Sequence, residues 1–152
     1  MVAGGVTSLE EVRTMSVADG GLGVVSTSRP DGRVHSSLVT AGLMAHPVTQ
    51  QETVAFVVFG NAVKLDLFRR SRRASIVFRA GFRWVGVEGP VDIIGPDDAF
   101  PGFADDGLAQ LLRDVFTAAG GTHDDWDEYD RVLAAERRAA IFLTPARITG
   151  RA

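Results

Sequence analysis

The chain contains no cysteine, which excludes disulfides and thiolate metal sites. Histidine occurs three times, at His35, His46 and His123. No two of them have the spacing of a ligand pair, which argues against a structural zinc site. Lysine occurs once, at Lys64, so nearly all the positive charge is arginine. No apolar run reaches the roughly 18 residues a membrane helix needs. No basic segment followed by an apolar stretch marks a secretory leader. A cytoplasmic protein without membrane attachment is expected. Also missing are Gly-x-Ser-x-Gly, a GxGxxG loop after a strand, a phosphate-binding P-loop and His-Glu-x-x-His. Nothing here spells a hydrolase.

What remains is an ordinary globular composition. The 152 residues are 45% hydrophobic and 23% charged, enough for one domain over 1–152 with a sizeable core. The net charge of −3 is unevenly spread. Lys64, Arg69, Arg70, Arg72, Arg73, Arg79 and Arg83 face a single acid, Asp66, within one stretch, whereas Asp92 to Asp130 holds eleven acids against Arg113. A basic block inside an acidic protein suits a local anion site better than nucleic acid, which needs a broader positive surface.

Ser8 and Glu11 form a capping box before Leu9, Val12 and Met15, predicting a first helix that ends near Gly20. Strands are expected over Leu22–Ser28 and Arg33–Ala41 around the turn Arg29-Pro30-Asp31-Gly32. Thr53–Phe59 is apolar throughout and reads as a strand covered on both faces. Gly60 breaks it, and Asn61 is a favoured N-cap for a helix carrying Val63, Leu67 and Phe68. Strands Ala74–Arg79 and Phe82–Ile94 follow. In the second, Val85, Val87, Val91 and Ile93 share the inward parity, which turns Trp84 outward. Leu108, Leu111, Leu112, Val115, Phe116 and Ala119 predict a helix. A further helix bears Trp126, Tyr129, Val132 and Leu133. A last strand, Ala139–Thr144, stops at Pro145, with a short edge at Arg147–Thr149.

The most suggestive site is Phe59-Gly60-Asn61-Ala62-Val63-Lys64. A buried strand ends at glycine, a helix begins with free amides, and one turn in it presents the only lysine. Amides, dipole and ammonium together make an anion site for a phosphate or phosphodiester. A capped surface helix with a solvated lysine gives the same pattern, so the residues alone leave both readings open. His35 sits mid-strand beside Ser36 and Ser37, where an ordinary strand histidine is the simpler reading.

In order and spacing these residues resemble the split β-barrel flavin and deazaflavin oxidoreductases, the pyridoxamine-phosphate-oxidase-like superfamily, and within it the actinobacterial F-420-binding branch. The resemblance rests on Gly23–Thr27 before Arg29-Pro30-Asp31-Gly32-Arg33, and on Lys64 with Leu67, Arg69, Arg70 and Arg73-Ala74-Ser75. It continues through Trp84 to Glu88-Gly89 and through His123, Trp126, Asp127 and Tyr129. It implies a mainly β fold with helices (α+β), a six-stranded FMN-binding split barrel, and a homodimer with cofactor sites at the interface. By resemblance, Lys64 grips the phosphate of the cofactor tail. Ser36, Ser37, Leu38 and Val39 lie along the ring, and Phe59, Gly60 and Asn61 flank it. Arg69 or Arg70 reaches the tail carboxylates, and Trp84 shapes the ring pocket. Trp126 and Tyr129 are candidates for a substrate wall, although aromatics at helical spacing more often pack a core. The implied reaction is hydride transfer from reduced F-420 to an unsaturated small molecule. The rivals are an FMN-dependent enzyme of the same fold and a non-catalytic F-420 carrier. Ala62 and Asp66 depart from the pattern, since relatives commonly place basic or amide residues there.

Overall fold

Alternating apolar residues and well-placed turns give the chain seven strands and four α-helices in a computed structural model that describes residues 8–151. In order they are α1 (Leu9–Ala18), β1 (Leu22–Ser28), β2 (Val34–Ala45), β3 (Glu52–Val58), α2 (Val63–Ser71), β4 (Arg73–Ala80) and β5 (Arg83–Ile94). A 3-10 turn at Asp105–Gly107 leads into α3 (Leu108–Ala118), and α4 (Trp126–Ala135), β6 (Ala139–Leu143) and β7 (Arg147–Arg151) complete the chain. Six strands close into an antiparallel barrel in the order β4-β1-β2-β3-β6-β5, with β5 returning to β4. The expected six-stranded split barrel is present. Among the described residues β7 pairs only with β5, and it lies outside the ring.

Two strands of twelve residues make the closure possible. β2 pairs with β1 from Val34 to Thr40, then with β3 from Ala41 to Ala45. β5 pairs with β4 up to Pro90, then with β6 from Val91 to Ile94. At the changeover Gly89 lets the Thr144 carbonyl approach so closely that a β-carbon there would lie 2.0 Å from its oxygen. Proline at 90 has no N–H to leave unpaired at this corner.

The core has two layers. Inside the barrel Val25, Phe56, Phe68, Ile76, Val87 and Ile141 are buried together. Outside it Ala55 and Phe142, from the other faces of β3 and β6, pack under Leu111, Leu112, Val115 and Leu133 of α3 and α4. The double-sided burial expected for β3 is therefore supplied by the chain's own helices.

Three local expectations are corrected. β2 runs on to Ala45 because Gly42–Ala45 pair with β3, where a loop was expected beyond Ala41. The N-cap of α2 is Ala62, with no side-chain cap, and not Asn61. Asn61 is held in a turn closed by the Ala62 amide on the Phe59 carbonyl at 3.1 Å, which postpones the helix by one residue. In α1 the Glu11 amide donates to Ser8 Oγ at 3.3 Å, but Glu11 Oε2 is buried with no partner among the described residues, so only half of the box forms there.

Candidate functional site

The barrel wall opens where β2 changes partner. The β2–β3 ladder stops at Ala41↔Phe56. The residues that would extend it, Leu38–Thr40 on one side and Val57–Phe59 on the other, diverge and line a cleft of about 410 Å³. Along Val34–Thr40 one edge of β2 pairs with β1, and the other has no strand partner among the described residues. That free edge presents backbone donors and acceptors to the cleft. Val115 and Phe116 of α3, Ala119 at its C-cap, and Tyr129 and Leu133 of α4 form the far wall.

Among the described residues, two cations and no carboxylate line this space. Lys64 enters from the first turn of α2 and donates from Nζ to Ser37 Oγ at 2.8 Å. Burial lowers its proton affinity below the ordinary lysine range, because a desolvated ammonium lacks a compensating negative charge. An anion entering the cleft supplies that charge. Arg138 enters from the α4–β6 corner, with its guanidinium carbon 3.4 Å from the centroid of the Phe59 ring.

Tyr129 is a wall and not an acid. Its hydroxyl donates to the Leu112 carbonyl at 3.1 Å, and burial pushes its pKa up to about 12. Trp126 packs edge-on against Tyr129 and Phe116 from outside the lining.

The remaining expected positions fall into three groups. Ser37, Leu38, Val39, Phe59 and Lys64 converge on the cleft through the geometry above. Gly60 and Asn61 stand beside it, in a shallower depression shared with Phe59, Glu136 and Arg137. Ser36 is not in the lining and bonds Ser26 Oγ of β1 at 2.7 Å. Arg69 is held by Asp98 through two bonds of 2.9 and 2.7 Å, and Arg70 by Asp66 at 3.3 Å. Neither of these arginines lines the cleft, and Trp84 of β5 does not line it within one chain.

The histidines lie elsewhere. His46 is fully buried, its Nδ1 accepting from the amides of Val48 and Thr49 and its Nε2 lying 3.1 Å from Asp92. His123 Nδ1 accepts from the Asp125 amide. Among the described residues no group of three side chains could hold a metal ion, and no helix is long and apolar enough to cross a membrane.

Sequence reasoning missed Arg138, Phe116, Thr40 and Leu22. Arg138 follows another arginine at a helix end, where a solvated residue is the default expectation. Only the fold of the α4–β6 corner carries it into the cleft.

No family model matches the chain. Among solved structures it is similar to a conserved hypothetical protein from Mycobacterium tuberculosis, with a TM-score of 0.66 and 18% identity over 96% of this chain and 85% of that one. A pyridoxamine 5'-phosphate oxidase-related, FMN binding protein from Nostoc punctiforme aligns with a TM-score of 0.57 and 13% identity, over 90% and 77% of the two chains. An F420 reductase aligns with a TM-score of 0.59 and 14% identity, over 94% and 98%. The architecture is that of the pyridoxamine 5'-phosphate oxidase-like split barrels.

Proposed function

We propose that the protein binds a flavin-type cofactor in the cleft and works as an oxidoreductase, with the deazaflavin F-420 as the cofactor and FMN as the alternative. The observation that carries this reading is the lone lysine, held by Ser37 at the mouth of a slot lined by apolar side chains and a free strand edge. A tricyclic ring with polar edges and a phosphorylated tail needs these features. It needs flat apolar walls, backbone groups to meet its heteroatoms, and a cation at the start of the tail. The volume of about 410 Å³ lies within the usual range for such sites, about 300–1,000 Å³. The F420 reductase and the FMN binding protein share the fold, which supports the same class of ligand.

When bound, such a cofactor supplies hydride chemistry to an unsaturated organic substrate. The chain's residues would position and dry the site. Lys64 would hold the phosphate, with Ser37 fixing its ammonium. Leu38, Val39 and Phe59 would flank the ring, with Gly60 and Asn61 at the start of the tail. The carboxylates of an F-420 tail would run along α2. Arg69 and Arg70 are already paired there, while Arg72 and Arg73 make no ion pair among the described residues. From Lys64 to Arg72 is roughly 12 Å along the helix axis. We further propose that two copies associate and that the partner covers the outward face bearing Trp84.

Fluorescence titration with F-420 and FMN, at low and high salt, tests the assignment. F-420 is expected to bind more tightly, with an affinity that falls as salt rises, because its extra carboxylates meet exposed arginines. Equal or tighter FMN binding would transfer the assignment to FMN. Lys64→Met is expected to weaken binding of either cofactor by about tenfold to over a hundredfold, from a lost charge-assisted contact worth roughly 1.5–3 kcal/mol. Its resistance to urea should not fall, since the change removes a partly desolvated ammonium. Unchanged binding in that variant would move the anion site elsewhere.

A further inference from the structure

Among the described residues, four arginines meet a carboxylate through both Nε and Nη2, and they do so unequally. Arg69 and Arg113 each face two oxygens of one aspartate, Asp98 and Asp130 respectively. Arg137 grips both oxygens of Asp97 in the same way. Arg138 has only Oε1 of Glu136, shared between its Nε and Nη2 at 3.3 Å each. Charge-assisted bonds run about 2.7–2.9 Å, and a guanidinium fork matches a planar two-oxygen anion. Of these four, the arginine that lines the cleft, Arg138, is thus the one whose fork is incompletely used.

Its position is nevertheless fixed. The Arg137 amide bonds the Ala134 carbonyl and the Arg138 amide bonds the Leu133 carbonyl, at 3.1 and 3.0 Å, while Arg137 takes the left-handed conformation at φ 49°. This is the double closure that ends a helix with a residue past its cap in that conformation. The corner then seats on Gly60, whose amide donates to the Glu136 carbonyl at 3.1 Å. A β-carbon at Gly60 would lie 2.5 Å from the Arg137 carbonyl oxygen. The resulting contact lays the Arg138 guanidinium on Phe59, and its charge is felt at Tyr129. Lys64 belongs to the α2–β2 side, whereas Arg138 belongs to the α4–β6 corner beside the apolar wall of Phe116, Tyr129 and Leu133.

We infer that Arg138 is a substrate-anion fork: the cleft takes, beside the cofactor, an apolar or aromatic substrate bearing a carboxylate or another oxyanion, such as a sulfonate, that offers two oxygens to the fork. The inference rests on the proposed cofactor site for the meaning of substrate, but not for its test. The anion displaces the single Glu136 oxygen and completes both N–H bonds, while the apolar body lies against Phe116 and Leu133. Lys64 remains with the cofactor phosphate, so the two cations divide two ligands between them.

The probes are 8-anilinonaphthalene-1-sulfonate and its uncharged parent N-phenyl-1-naphthylamine, with FMN and F-420 titrated in parallel. They are applied to the full chain and to Arg138→Met, Arg138→Lys and Lys64→Met. Arg138→Met should weaken the sulfonate dye about tenfold or more, leaving the neutral dye and both cofactors within about twofold. Arg138→Lys should recover part of the loss. Lys64→Met should show the reverse pattern, losing cofactor and keeping the sulfonate dye. Unchanged sulfonate binding in Arg138→Met would overturn the inference. Loss of both dyes in Arg138→Met and Arg138→Lys alike would make Arg138 a packing residue, and loss of cofactor in Arg138→Met would give it to the cofactor instead. A wild-type protein that binds neither FMN nor F-420 would sink the cofactor reading and leave the Arg138 dependence of the dye readable.

Discussion

At the scale of single residues, the cleft is governed by how each polar group is satisfied after losing water. Lys64 has a hydroxyl partner and no counter-charge within the lining, which makes it receptive to an anion. Tyr129 is satisfied by a backbone carbonyl and desolvated, so its phenol holds its proton. It is the only tyrosine in the chain, so ultraviolet absorbance of the tyrosinate reports it alone. In the folded protein that signal is expected with a midpoint of about 12, and in urea near the ordinary value of about 10. The unfolded state releases this proton first, so between the two values the native state binds more protons and stability falls as pH rises. A native midpoint at the urea value would mean that the phenol is in water and does not wall the cleft.

At the scale of elements, the cleft depends on α3 lying almost backbone to backbone on β2. A β-carbon at Gly42 would lie 2.0 Å from the Ala118 carbonyl oxygen, and no rotamer change relieves a clash with main chain. Gly42→Ala is therefore expected to push the C-terminal end of α3 outward and to cost about 1–3 kcal/mol. Because Val115, Phe116 and Ala119 line the cleft, the variant should also bind the neutral naphthylamine dye less well. Urea unfolding and dye titration on one sample check both effects. An unchanged urea midpoint would show that α3 is not seated against Gly42. The register of β2 is equally decisive, since its change of partner at Ala41 opens the wall.

At the scale of the whole molecule, the outward face of β2, β1, β4 and β5 carries an apolar row. Leu38, Val24 and Val77 stand in register across three strands, exposed by 60%, 45% and 37%. The row continues to Gly86, over which the Trp84 ring leans with Cζ3 3.4 Å from the place of a β-carbon. The helices α3 and α4 cover β3, so association would use this exposed face and not β3. Leu38 belongs both to the row and to the cleft lining, so a second copy seated on the face would also border the cofactor site. A contiguous apolar patch of this kind favours a self-complementary contact. Sedimentation at micromolar protein is expected to give a dimer, and Val24→Lys with Val77→Glu a folded monomer with weaker cofactor binding. A wild-type monomer would remove the proposed interface.

Strand and helix positions were legible because alternation and helical spacing act locally, and burial follows from them. Val85, Val87, Val91 and Ile93 point inward as their parity requires, and α3 forms where its apolar stripe predicts. The turn at Gly60 and the lone lysine beyond it were readable for the same reason. The use made of each charge was not. Arg69 and Arg70 look free in the basic block, but Asp98 neutralises one across 29 positions and Asp66 the other within its own helix. Arg138 looks solvated, but a helix-ending turn and a missing β-carbon at Gly60 carry it onto Phe59. Sequence determines which side chains are buried, because hydrophobic periodicity is a property of neighbouring residues. Only the tertiary structure decides which cations remain available to a ligand, because ion pairing depends on where distant carboxylates come to rest.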